Sequence, residues 1–327
     1  MDSGRRDVLP RHTQPTLAPR MSFMWVGMLL TGSWIYGSYS ILVNLSQVNG
    51  QIPFSSAAVI LMIELTKFLI SFAMYMPEFR QSFRLPHVSV RTALSYSVPA
   101  VLYAFNNNIA LYINEEMDPA TFQVLSNLKI VTTALLYRVV IKRVISVPQW
   151  LAIFLLVLAG MCDGYGGLET KSKSGARTEV FITVQGLVML LAYCSVSAVA
   201  AVYTEYILKK QLMTSLHVQN MVLYTYGCVL NITAILWQRQ ILNQGTKQGL
   251  FSGFSVYTWL IIITQAFSGL IMSVVFKHGS NLTRLFIISG AMLVSMVMSI
   301  LILGTTLNVY FVIAAVLVTF AIYLYHQ

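Results

Sequence analysis

Long apolar runs alternate with short polar ones along almost the whole chain. A helix needs about 20 predominantly apolar residues to cross a bilayer, and runs near that length lie at about 22–44, 55–76, 93–113, 119–141 and 148–163. A polar stretch of Gly, Lys, Ser and Glu at 164–179 follows, and then runs at about 180–204, 217–237, 254–276, 282–303 and 307–325. The pattern predicts an all-α polytopic membrane protein with ten transmembrane helices. Five spans, a loop and five more suggest an internal duplication, and an odd number of spans per half sets the halves in opposite orientation. The expected units are two inverted five-helix repeats, 22–163 and 180–327, joined across 164–179. Aligning Trp150 with Phe311 relates the halves and puts Arg284 opposite Gln123.

Composition agrees with that reading. The 327 residues are 57% hydrophobic and 10% charged, whereas a soluble domain carries roughly 25% charged residues. The net charge of +10 would suggest nucleic acid in a soluble chain, but here it first has to be divided between membrane sides. With a cytosolic N-terminus, the cytosolic segments hold Arg5, Arg6, Arg11, Arg20, Arg80, Arg84, Arg91, Arg138, Lys142, Arg143, Lys209 and Lys210. The far side holds Lys171, Lys173, Arg177, Arg239 and Lys247. That excess predicts both termini in the cytosol and no nucleic-acid partner. Residues 1–21, basic and rich in Pro and Thr, bury too little apolar surface to fold and read as a disordered arm. The first span serves as its own insertion signal, since it is long enough to cross the bilayer.

The informative residues are the polar ones inside the spans. Lys129 lies about ten residues into the fourth span, where an unpaired ammonium costs roughly 2.5–3.5 kcal/mol. Phe122, Ser126, Lys129 and Thr133 share one helical face with it, and Tyr103, Asn106 and Asn107 share a face of the preceding span. A cation beside amides and aromatics at membrane depth suits an anionic ligand with a polar, planar head. Glu64 and Lys67 stand one turn apart in the second span and can neutralise each other. Ser197, Tyr203 and Glu205 line the sixth span, with Glu205 expected to steady Lys277 or Arg284 when no ligand is bound. Asn220 and Tyr224 share a face of the seventh span, and Tyr224 can stack on a base. In KHGSNLTRLF, Lys277 can snorkel, whereas Arg284 lies nearly two turns inside and presents a planar fork suited to phosphate.

Catalytic groupings do not emerge: no Gly-rich phosphate loop, H-E-x-x-H or G-x-S-x-G occurs. Cys162, Cys194 and Cys228 fall in or beside apolar runs and read as packing residues. Neither a metal site nor a cofactor is expected. The acidic turn at 114–119 reads as solvated.

Five stretches, IELTK, LYAFNNN, FQVLSNLK, VYTEYILK and VVFKHGSNLTRLF, resemble the nucleotide-sugar transporters of solute carrier family 35, subfamily A, within the drug/metabolite transporter superfamily. The likeness runs from about Gly27 to the C-terminus. It implies a Golgi membrane protein that brings a cytosolic nucleotide-sugar into the lumen in exchange for a nucleoside monophosphate. Carried over residue by residue, it places the nucleotide against Tyr103, Asn106, Asn107, Asn220 and Tyr224, with Lys129 and Arg284 on phosphate. Relatives carrying CMP-sialate or UDP-galactose differ at Asn106, at Ser126 with Asn127, at His278 and at Arg284. Losing a tyrosine at Ser126 widens the pocket, and arginine replaces lysine at a phosphate contact. Both changes favour a diphosphate, so a UDP-sugar or a CDP-linked alcohol such as CDP-ribitol is expected ahead of CMP-sialate. Assembly with copies of itself or with related transporters is a further expectation. A second class of function is a non-transporting scaffold that organises Golgi transporters or glycosyltransferases, with Gly32 and Gly37, and Gly160 and Gly164, as small-residue contact surfaces.

Overall fold

Inside a bilayer every backbone N–H and C=O must be satisfied within the protein, so spanning apolar runs fold as helices. A computed structural model describes residues 23–48, 52–82, 88–117, 119–140, 144–173, 183–211, 213–241, 249–304 and 309–325. All regular elements among them are helices: α1 (Phe23–Ser46), α2 (Ser56–Ser82), α3 (Val90–Glu116), α4 (Pro119–Leu125), α5 (Leu128–Val140), α6 (Val147–Lys173), α7 (Val184–Lys210), α8 (Leu216–Ile241), α9 (Val256–His278), α10 (Asn281–Leu303) and α11 (Val309–Tyr325). The basic arm at 1–21 lies outside the described residues.

Six of these helices, α1, α2, α6, α7, α9 and α10, are long and apolar enough to cross a membrane. α3 and α8 are also long, at 27 and 26 residues. The outer faces carry exposed Leu30, Trp34, Leu69, Phe72, Phe154, Val188 and Val316, an arrangement that suits lipid rather than water.

Packing crosses repeatedly between the first and second halves of the chain. α1 lies against α9 and α10, α2 against α8 and α9, α3 against α7 and α8, α5 against α7, and α6 against α11. Small residues set the closest approaches. A Cβ on Gly37 would come within 2.5 Å of the Ala291 carbonyl of α10. Likewise, one on Gly160 would come within 2.5 Å of the Asn127 side chain. The small residues at Gly32, Gly37, Gly160 and Gly164 therefore meet α9, α10 and α4 and the turn after it within this chain. They are not open surfaces for a partner, contrary to the expectation for a scaffold.

Three segments depart from the simple span pattern. The fourth span is broken in two at Ser126–Asn127, because the backbone tightens to i→i−3 bonds there: Lys129 N donates to Ser126 O at 3.1 Å and Ile130 N to Asn127 O at 2.9 Å. The Asn127 amide donates to Val124 O at 3.1 Å, taking a carbonyl that a continuous helix would use. α6 runs on to Lys173, past the expected end at 163, while Gly166 and Tyr165 pack on Tyr310 of α11. The expected acidic turn is partly helix: α3 continues to Glu116, whose carboxylate accepts from the Thr183 hydroxyl at 2.7 Å where α7 begins.

Candidate functional site

The break in the fourth span decides where Lys129 stands. It becomes the second residue of α5 rather than the middle of a long helix, at the positive end of that helix's dipole. Arg284 is the fourth residue of α10, again in a first turn. α5 and α10 are in contact, and the two cations are near enough for their charges to repel. Neither forms an ion pair with a described carboxylate. The Arg284 guanidinium instead lies 5.5 Å from the Phe276 ring centroid of α9.

Around these cations the structure gathers residues from five elements. Cys194 of α7 lies beside Lys129, and the Thr132 hydroxyl donates to the Cys194 carbonyl at 3.3 Å. Tyr193 of α7 meets the Phe122 ring edge-on at 5.3 Å, and its hydroxyl lies beside Asn106, Tyr36 and Arg284. Sequence reasoning missed Tyr193 and Tyr36. The available signal was that Tyr193 stands four residues before Ser197, on the face already assigned to the site. Asn106 is 5% exposed and its Oδ1 is unpartnered. Tyr103, one turn earlier on α3, Ser126 in the break and Ser197 on α7 are half-buried. The side chain of Asn107 lies outside those described.

Glu64 and Lys67 form a second group. Their side chains pair at 2.7 Å and are only 18% and 15% exposed, so each neutralises the other out of water. Glu64 fits against the bare Cα of Gly227 and Lys67 against that of Gly269. The Lys67 ammonium lies 5.3 Å above the Tyr224 ring, the face expected to stack a base. The Asn220 amide donates to the Ser273 hydroxyl at 2.8 Å, leaving its own buried Oδ1 unpartnered.

A third group closes one end of the bundle. Glu205, fully buried, does not steady Lys277 or Arg284. Its carboxylate accepts from the Asn281 backbone at 2.7 Å and from the Tyr137 hydroxyl at 3.2 Å, and pairs with Lys209. The i, i+4 spacing on α7 makes Lys209 the nearest cation. Lys277 does not snorkel, since it is 6% exposed and ends on the Thr214 carbonyl at 2.6 Å. Tyr203 lies farther out, lining an apolar groove with Leu136, Val140, Val199, Val202 and Tyr206.

The expected residues thus fall into one group of uncompensated cations and two of satisfied charges. Only the first offers a positive potential that a ligand could neutralise. Among the described residues, no group of three His, Cys, Asp or Glu side chains could hold a metal ion.

Comparison with known proteins gives this arrangement a context. The family described as Nucleotide-sugar transporter matches residues 23–326. The probable UDP-sugar transporter protein SLC35A4 of Xenopus tropicalis is 45% identical over 303 residues, spanning 93% of this chain and 92% of that one. The proteins of the same name from Danio rerio and Homo sapiens are 44% and 36% identical, covering 94% and 95% of this chain and 96% and 97% of theirs. A crystal structure with only 10% sequence identity superposes with a TM-score of 0.64 over 91% of this chain and 94% of its own, a likeness of fold alone.

Proposed function

The chain belongs to the nucleotide-sugar transporter family, and on that premise we propose that it is a Golgi antiporter for a pyrimidine nucleotide conjugate. The substrate is a UDP-sugar or a CDP-linked alcohol such as CDP-ribitol, taken into the lumen in exchange for a nucleoside monophosphate. The observation that carries the reading is the pair Lys129 and Arg284, which repel each other and have no described carboxylate between them. A diphosphate placed there removes the repulsion, with the arginine fork taking two oxygens and the lysine acting as a point charge. Among the buried amide oxygens without donors, Asn106 Oδ1 and Asn220 Oδ1 suit the N–H and O–H groups of a base and ribose.

Ten spans in two inverted repeats, with both termini cytosolic, provide the machinery. The fourth span is then the broken pair α4 and α5. Packing supports the duplication: α1 lies on α9 and α10 as α7 lies on α3 and α5, and α2 lies on α9 as α8 lies on α3. Two hydrogen bonds support the same register. The Ser33 hydroxyl donates to the Ile287 carbonyl at 3.2 Å, and the Cys194 thiol faces the Ser126 carbonyl at 4.0 Å. Positions 33 and 194, and 126 and 287, differ by 161, the offset that aligns Trp150 with Phe311.

The two halves rock about the site, exposing it to each side in turn. An empty carrier must move with its cations uncompensated and a loaded one does not, so movement is coupled to exchange. Counter-transport into proteoliposomes tests this. UDP- and CDP-conjugates should compete for uptake in preference to CMP-sialate, and superior competition by CMP-sialate overturns the diphosphate reading. The scaffold alternative is disfavoured by the small-residue surfaces already filled within the chain.

A further inference from the structure

We propose that Glu205 and Lys209 form a latch that holds one end of the bundle shut. The latch joins four elements. Glu205 on α7 reaches the first backbone N–H of α10 at Asn281 and the Tyr137 hydroxyl near the end of α5. Lys209, one turn on, pairs with Glu205 and also donates to the Gly279 carbonyl, the C-cap of α9, at 2.6 Å.

Helix polarity makes this more than an ordinary ion pair. The N-terminus of α10 is the positive end of a dipole and receives the carboxylate, while the C-terminus of α9 is negative and receives the ammonium. A Glu-to-Lys pair at i, i+4 on α7 therefore straddles the turn between two helices with matched charge at each end. All the bonds are charge-assisted, and Glu205 is fully excluded from solvent. The two members depend on each other, because removing either leaves a helix end and a charge unsatisfied.

Among the described residues, the matching positions at the other end carry different side chains. Shifting each member back by the offset of 161, or forward for Tyr137, replaces Glu205, Lys209 and Tyr137 with Asn44, Val48 and Met298. Asn44 and Val48 are exposed rather than buried. Contact between α1 and α10 near that end comes from the short hydroxyl pair Ser40 and Ser295 and from Gly37 against Ala291. The charged contact there is of another kind, the Glu116 carboxylate at the end of α3 accepting from the Thr183 hydroxyl where α7 begins. What this means for transport rests on the proposed function; the latch itself does not.

Thiol accessibility provides the test. Thr133 of α5 is buried one turn inside Tyr137, so Thr133→Cys in the full-length protein reports opening of the latched end, read by maleimide labelling and peptide mass spectrometry. Without nucleotide, Glu205→Gln should speed labelling by about tenfold or more, the factor carried by loss of one hydrogen bond to a charged group. Lys209→Met should give a smaller increase, and it carries the test if Glu205→Gln does not fold. Lys209→Arg should restore the slow rate. Unchanged labelling in Glu205→Gln, or in Lys209→Met should Glu205→Gln not fold, overturns the latch, even if exchange proceeds normally. Faster labelling in a protein that exchanges no nucleotide leaves the latch standing and overturns the transport reading instead.

Discussion

Lys209 and Lys129 are the same side chain in opposite circumstances. Lys209 has a carboxylate one turn away and a helix C-terminus within reach, so both its charge and its donors are used. Lys129 stands at the start of a helix, beside another cation, with no described acid paired to it. Lys67 sides with Lys209 by ending on Glu64, and Lys277 donates to the Thr214 carbonyl and feels the opposite charge of Glu78. Charge inside a membrane bundle is therefore not by itself a mark of a binding site. What distinguishes the site is charge the protein leaves unbalanced, since that deficit is what a ligand can repair.

The comparison breaks most readily at Lys129. Lys129→Ala should lower nucleotide exchange in proteoliposomes at least a hundredfold while the protein still folds. Normal exchange by that variant would remove Lys129 from the account. Glu205→Ala should do the reverse, costing about 3 kcal/mol of stability by stranding Lys209 and the Asn281 N–H, read as a lower midpoint of thermal unfolding. Lys67→Met leaves Glu64 buried without its cation and should cost about 2 kcal/mol, visible in the same measurement. The smallest effect has the opposite sign. Lys129→Met and Arg284→Met each relieve like-charge repulsion, so the midpoint of the empty protein should stay the same or rise by a few degrees. A large fall would mean that the cation is held by a partner and belongs with Lys209.

Much of this was legible in the sequence because bilayer length and backbone satisfaction leave few choices. The apolar runs map onto the helices, and the polar residues worth naming were those that lipid would not tolerate. The break at Ser126–Asn127 was not legible: Ser and Asn are common inside helices that continue, and the break depends on Asn127 entering the space above Gly160, a tertiary contact. Glu205 was read as a structural or gating charge, and its partner was misjudged in favour of Lys277 and Arg284. The i, i+4 spacing to Lys209 was already in the sequence, whereas the approach of Asn281 to the carboxylate needed the fold. Tyr193 went unnoticed because tyrosine is common in such spans, and only its neighbours, Asn106, Phe122 and Arg284, set it apart.

Nucleotide-dependent thermal stabilisation of the empty protein, compared with Lys129→Met, tests the central claim most directly. A UDP or CDP conjugate should raise the unfolding midpoint of the wild-type protein by several degrees and leave that of Lys129→Met nearly unmoved. Equal stabilisation of both proteins, or no response of the wild type to any nucleotide conjugate, would contradict a site built on unbalanced positive charge.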